Sequence, residues 1–167
     1  MKKTLLLICI VLFAVARLSA QVIKGNYAIK NTETGLLLRV KDANSKNGTP
    51  LVSYYPQNWK CMTWSFKHRE GNTYQLQNLF TNKTFQPQAA PAANVSLEEQ
   101  PLAADAKNQQ YEFVAAGKDA YLIKLKNSDL YLTPGDKEGE SDVPVILAKK
   151  DGGKHQLWTI YEQSPTM

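Results

Sequence analysis

Cysteine is nearly missing from this chain: its 167 residues hold two, Cys9 and Cys61. Cys9 lies in an apolar leader, so only Cys61 would remain in an exported form, and a single thiol cannot close an internal disulfide. Histidine is as scarce, with His68 and His155 far apart, and one Cys with two isolated His does not supply the three or four ligands of a zinc site. There is no Gly-x-Ser-x-Gly elbow, no His-Glu-x-x-His helix and no Gly-rich phosphate loop, so nothing assembles a nucleophile, a base and an acid, and neither an enzyme nor a cofactor is expected. No apolar run reaches the roughly 18 to 20 residues that span a bilayer. The longest, Leu5 to Ala16, follows Lys2-Lys3 and precedes the small-residue end Leu18-Ser19-Ala20. That order predicts a signal peptide over residues 1–20, cleavage before Gln21, no stable membrane anchor, and a secreted or periplasmic address.

Charge of one sign is also scarce once the leader is set aside. Removing Lys2, Lys3 and Arg17 takes Lys plus Arg from 20 to 17 against 15 Asp plus Glu, leaving the mature chain at +2. With no Lys/Arg stripe interleaved with aromatics, the pI of 9.1 does not mark a nucleic-acid partner. The 147 residues after Ala20 suffice for one packed core, and Cys61 reads as a small, half-buried apolar group within it.

What is there is a repeat. Shifting the chain by 47 residues, twice and without insertions, aligns Tyr27, Tyr74 and Tyr121, and likewise Trp64, Tyr111 and Trp158. With aromatics at 10% of the chain, a column is aromatic in three copies roughly once in a thousand by chance. Ile29, Leu76 and Ile123 form a further column, as do Phe66, Phe113 and Ile160, and Leu38, Phe85 and Leu132. Large apolar residues two apart follow the strand period. Each unit reads as four short strands, in the first copy around Tyr27-Ala28-Ile29, Leu36-Leu37-Leu38, Leu51-Val52-Ser53-Tyr54 and Trp64-Ser65-Phe66. Turn formers such as Asn47-Gly48 and Pro134-Gly135 separate them.

Three units, about 22–68, 69–115 and 116–162, give about twelve strands with pseudo-threefold symmetry. The predicted fold is an all-β single domain over 21–167, a closed barrel with hairpins over one end, which is a β-trefoil. The middle copy is worn. Its Phe85 to Ala93 stretch is rich in Ala and Pro, and Glu98-Glu99 fall in the columns of Leu51-Val52 and Val145-Ile146. Either the third strand slips register there or an irregular loop replaces it.

The first unit, from Gly25-Asn26-Tyr27 through Gly35-Leu36-Leu37-Leu38-Arg39-Val40 and Asn47-Gly48-Thr49 to Trp64-Ser65-Phe66, resembles the repeat of the ricin B-type β-trefoil lectins. The third ends in Gln156-Leu157-Trp158, which matches that family's Gln-x-Trp signature; Met62-Thr63-Trp64 and Gln109-Gln110-Tyr111 match it in part. The resemblance covers the whole mature chain and implies carbohydrate binding, with an Asp after the Leu-x-Leu strand accepting from sugar hydroxyls. Here Arg39, Gln86 and Thr133 hold those positions, so the carboxylate is missing from all three copies.

Sugar recognition needs an acceptor, an aromatic face and an amide. Unit one keeps such a set: Tyr54 in the place of the stacking aromatic, Tyr55 and Trp59 close by, Asn58 or Gln57 as the amide, and Asp42 as a substitute acceptor. The expected single site is therefore framed by Arg39, Asp42, Tyr54, Tyr55, Asn58 and Trp59. An exposed Arg39 would favour an acidic glycan or a protein carboxylate through its planar fork of donors. The resemblance implies a glycan or glycoconjugate as the partner. The other reading is a protein-binding trefoil, such as a protease inhibitor or a cell-surface interaction module.

Overall fold

A computed structural model describes residues 21–166; the predicted leader lies outside them. Twelve strands are found among the described residues: β1 (Asn26–Asn31), β2 (Leu37–Val40), β3 (Leu51–Tyr54), β4 (Trp64–Glu70), β5 (Thr73–Asn78), β6 (Thr84–Pro87), β7 (Leu97–Gln100), β8 (Tyr111–Ala115), β9 (Tyr121–Leu125), β10 (Leu130–Pro134), β11 (Val145–Lys149) and β12 (Leu157–Glu162). Strands β1, β4, β5, β8, β9 and β12 pair antiparallel in a closed ring, β12 returning to β1. Three hairpins, β2–β3, β6–β7 and β10–β11, remain outside that ring. This is the β-trefoil that the repeat predicts.

The aligned columns are the core. Ile29, Leu76 and Ile123, the Trp64, Tyr111 and Trp158 set, and Leu38, Phe85 and Leu132 are all wholly buried in one cluster. The last two of these three columns are also joined by a bond repeated three times. Trp64 Nε1 donates to the Leu38 carbonyl (3.1 Å), Tyr111 Oη to the Phe85 carbonyl (3.2 Å) and Trp158 Nε1 to the Leu132 carbonyl (3.0 Å). Each fourth-strand aromatic thus fills the core and pins its own hairpin, which explains why Tyr, with a donor at its tip, replaces Trp in the middle copy. Burial pushes the Tyr111 phenol well above its ordinary range, which keeps it a neutral donor.

The hairpins are also stitched to one another. Gly48 N and Glu99 N bond to the Glu99 and Thr49 carbonyls, Asn94 N and Leu147 N to those of Leu147 and Val95, and Asp142 N and Ser53 N to those of Ser53 and Val143. Each hairpin loop therefore pairs with the third strand of the next copy. In the third hairpin a Cβ on Gly135 would stand 2.6 Å from the Pro144 carbonyl oxygen, so only glycine fits there.

The middle hairpin is present and slipped by one residue. Leu38 faces Ser53 and Leu132 faces Leu147, a shift of 94 in both strands, but Phe85 faces Glu99 where a strict 47-residue shift would place Gln100. The slip brings Leu97 into the wholly buried column of Leu51 and Val145 and turns Glu99, rather than Glu98, inward. Glu99 Oε1 accepts from Thr81 Oγ1, while Oε2 has no hydrogen-bond partner. Burial pushes this carboxyl up, against the Thr81 bond and the charge of Lys83.

A carboxyl raised in the fold contributes stability that is complete below its unfolded pKa and lost as pH rises through its folded pKa. Glu99→Gln should therefore stabilise the domain at pH 7 by on the order of 1 kcal/mol, and the advantage should shrink near pH 4. Urea denaturation of both proteins at the two pH values measures it. A gap unchanged between them would acquit Glu99.

Candidate functional site

On the first hairpin the strand period decides which side chains meet. Leu38 and Val40 of β2, with Leu51 and Ser53 of β3, lie on the core side, so Leu37, Arg39, Val52 and Tyr54 lie on the other side of the hairpin, where Leu37 and Val52 are wholly buried as well. Leu37 stands opposite Tyr54 and Arg39 opposite Val52, which makes Arg39 and Tyr54 diagonal neighbours. The guanidinium lies over the Tyr54 ring, 4.0 Å from its centroid, with the Trp59 ring at 5.8 Å.

Arg39 is only 8% exposed, where the sequence suggested an exposed guanidinium. The cover comes from Tyr54, from Trp59 and from Asp142 in the β10–β11 loop, whose Oδ1 lies 3.6 Å from the Arg39 head; Asp42 Oδ1 lies 4.0 Å away. Both carboxylates are too far for direct hydrogen bonds. Arg39 Nε and Asp142 Oδ1 have no hydrogen-bond partner.

The other two copies explain what is unusual about the first. Gln156 Nε2 donates to Thr133 Oγ1 (3.2 Å) and the Lys149 carbonyl (2.9 Å), while its Oε1 accepts from Asp151 N (3.0 Å). Gln109 Nε2 likewise donates to Gln86 Oε1 and the Pro101 carbonyl, both at 3.0 Å, and its Oε1 accepts from Ala103 N. In both copies the signature amide is bonded to the residue that stands in the missing carboxylate's column. The first copy has Met62 there, which offers Arg39 no amide. Instead Ala28, Leu37, Cys61 and Met62 form a small apolar cluster, with Ala43, Tyr54 and Trp59 packed on it.

Cys61 is buried rather than half-buried, and burial pushes its thiol up while the neighbouring Arg39 pulls the other way. It packs as an apolar group, as its sequence context suggests. Above it opens a cleft of about 340 Å³ lined by Arg39, Ala43, Trp59, Lys60, Cys61 and Phe80.

Five of the six residues read from the sequence gather here. Asp42 and Ala43 turn the chain with φ of 53° and 50°, which holds Asp42 exposed beside Arg39. Tyr55 is 56% exposed and meets Tyr54 edge-on at 5.9 Å, while Tyr54 and Trp59 lie 6.3 Å apart. Thr63 Oγ1 and Met62 N both bond to the Trp59 carbonyl and fix that turn. Asn58 stands apart: its Nδ2 donates to the Ser164 carbonyl (3.4 Å), on a second shallow cleft with Tyr161 and Gln163.

Two contributors were missed in the sequence. Phe80 belongs to the second copy and is 47% exposed. Its column holds the polar residues Glu33 and Asn127 in the other copies, so an aromatic out of step with its column was the available signal. Asp142 reaches the site from the third copy, through a contact that no local pattern contains.

The family described as "Ricin-type beta-trefoil lectin domain-like" matches residues 15–98 and 56–148. No curated protein sequence matches the chain. Among solved structures, the designed 3-fold symmetric protein ThreeFoil is similar at 19% identity and a TM-score of 0.79, over 83% of this chain and 99% of that one. The Rhizoctonia solani agglutinin is similar at 21% and 0.76, over 86% and 98%. The Macrolepiota procera ricin B-like lectin, solved in complex with lactose, is similar at 21% and 0.71, over 86% and 99%.

Proposed function

Because the chain belongs to the ricin-type β-trefoil lectin domain-like family, we propose that it is an exported, non-catalytic carbohydrate-binding domain with a single site on its first repeat. The observation that carries this reading is the group of exposed Tyr55 with half-buried Tyr54 and Trp59 beside Arg39, with the Asp42 carboxylate at its rim. Rings of this kind offer the apolar side of a sugar a face, and Asp42 offers adjacent hydroxyls an acceptor. The lactose bound by the Macrolepiota procera lectin supports the ligand class. Export is supported by the order of the leader, and the intact mass of the exported protein should begin at Gln21.

A glycan array on residues 21–167 tests the ligand class. With the sugar it selects, Tyr54→Ala should weaken binding by about 1–3 kcal/mol, and Asp42→Asn should weaken it with little change in stability. Changes at Gln86 or Thr133 should do little to binding, since the Gln109 and Gln156 amides already occupy those groups. Titration calorimetry, with a melting curve for each variant, reads the result. Undiminished affinity in both Tyr54→Ala and Asp42→Asn would put the site elsewhere. The loss of the carboxylate in all three copies favours a protein partner as the second reading, so a protease-inhibition panel belongs beside the array.

A further inference from the structure

The cleft beside the Arg39 group differs in kind from a sugar subsite. It is lined by Trp59 and Phe80, by Ala43 and Cys61 of the apolar cluster, and by Arg39 and Lys60. A bare sugar seated there would turn hydroxyls toward the Ala43 and Phe80 side chains, which offer no hydrogen-bond partner, at a cost of about 1–3 kcal/mol for each polar group left unsatisfied. An apolar ring would cover the Trp59 and Phe80 side chains instead, and the volume of about 340 Å³ lies in the range that holds small organic groups. Phe80 comes from the second repeat, so the cleft forms only where two copies meet. It adjoins the proposed sugar surface through Arg39 and Trp59, which line the cleft and contact or neighbour Tyr54.

We propose that this cleft takes the apolar aglycone of a glycoconjugate whose sugar rests on the Tyr54–Tyr55–Asp42 surface. The inference rests on the carbohydrate reading above and adds the class of what the sugar is joined to. A bound ring packs against Trp59 and Phe80, while Lys60 is exposed.

Paired methyl and phenyl glycosides of galactose, N-acetylgalactosamine, glucose, N-acetylglucosamine and mannose, with phenol as a control, test it on the mature domain. Trp64 and Trp158 are wholly buried, so tryptophan emission that responds to ligand reports Trp59, and calorimetry supplies the affinities. The phenyl form of at least one sugar should bind ~10-fold tighter than its methyl form, and Phe80→Ser should bring that ratio close to one. Equal affinities for the two forms in the unsubstituted protein would overturn the aglycone inference and leave the carbohydrate reading standing. A ratio that survives Phe80→Ser would also overturn it. Binding of phenol as tight as the phenyl glycoside, or no binding of any glycoside, would bring down both.

Discussion

Trp64→Ala and Trp158→Ala are each expected to remove about 3–5 kcal/mol of stability, a large share of what a domain of this size has. Both indoles are wholly buried, and truncation leaves a cavity that neighbours on opposite sides of the barrel cannot close. It also strands the Leu38 or Leu132 carbonyl that the indole Nε1 satisfies, at 3.1 and 3.0 Å. Trp158→Phe separates the two losses: most of the ring volume stays, the bond goes, and about 1–2 kcal/mol should be lost. Chemical denaturation curves measure all three. If both alanine variants unfold within about 0.5 kcal/mol of the parent protein, the aligned aromatics are not the shared core described here.

These positions could be read from the sequence because a core column in a threefold repeat meets the same surroundings three times. Burial then selects the same kind of side chain in each copy. The register slip in the middle copy was only half legible. Leu97 and Leu51 are 46 residues apart, so a strict 47-residue comparison sets Glu98 in the leucine's place and hides the buried column. The loop between β6 and β7 is one residue short, and the segment from β7 to β8 is one residue long, so the repeat resumes in phase at Tyr111. A compensated slip leaves the overall period intact, and hydrophobic patterning alone does not distinguish it from an irregular loop.

The site was less legible for the opposite reason. Its members do not recur, and several of their contacts cross between copies. Arg39, Tyr54 and Trp59 could be grouped because they lie on one hairpin and the turn that follows it. That Arg39 is covered depends on Asp142, 103 positions along the chain. Asn58 was grouped with them by proximity in sequence, but Gln163 Nε2 bonds to the neighbouring Gln57 carbonyl (3.1 Å) and Ser164 takes the Asn58 amide, which draws this loop toward the C-terminal segment. The loss of the signature glutamine at Met62 was visible as a departure from the family pattern. Its consequence, an apolar cluster in place of an amide network, depended on Leu37, Cys61 and Ala28 meeting in space.

Arg39 itself yields the second large expected effect. Arg39→Ala should cost about 2–3 kcal/mol: it empties the space over the Tyr54 ring and beside Trp59, uncovers the neighbouring Cys61–Met62 cluster, and leaves Asp142 Oδ1 without the cation 3.6 Å away. Arg39→Met should stay within about 1 kcal/mol of the parent protein, because it fills much of the same volume and removes an Nε that has no partner. Asp142 loses the cation in both variants, and because its side chain is 42% exposed that loss is small beside the packing that only Arg39→Ala removes. Denaturation of the two variants, of Asp142→Asn alone and of each variant combined with Asp142→Asn closes a double-mutant cycle. If Arg39→Met falls as far as Arg39→Ala, and Asp142→Asn couples to it by more than about 1 kcal/mol, the ion pair between the first hairpin and the third copy's loop holds the site together. If Arg39→Met folds as firmly as the parent protein, the charge is dispensable for stability. Titrating that folded variant with the array's sugar then shows directly whether the guanidinium is there for the ligand.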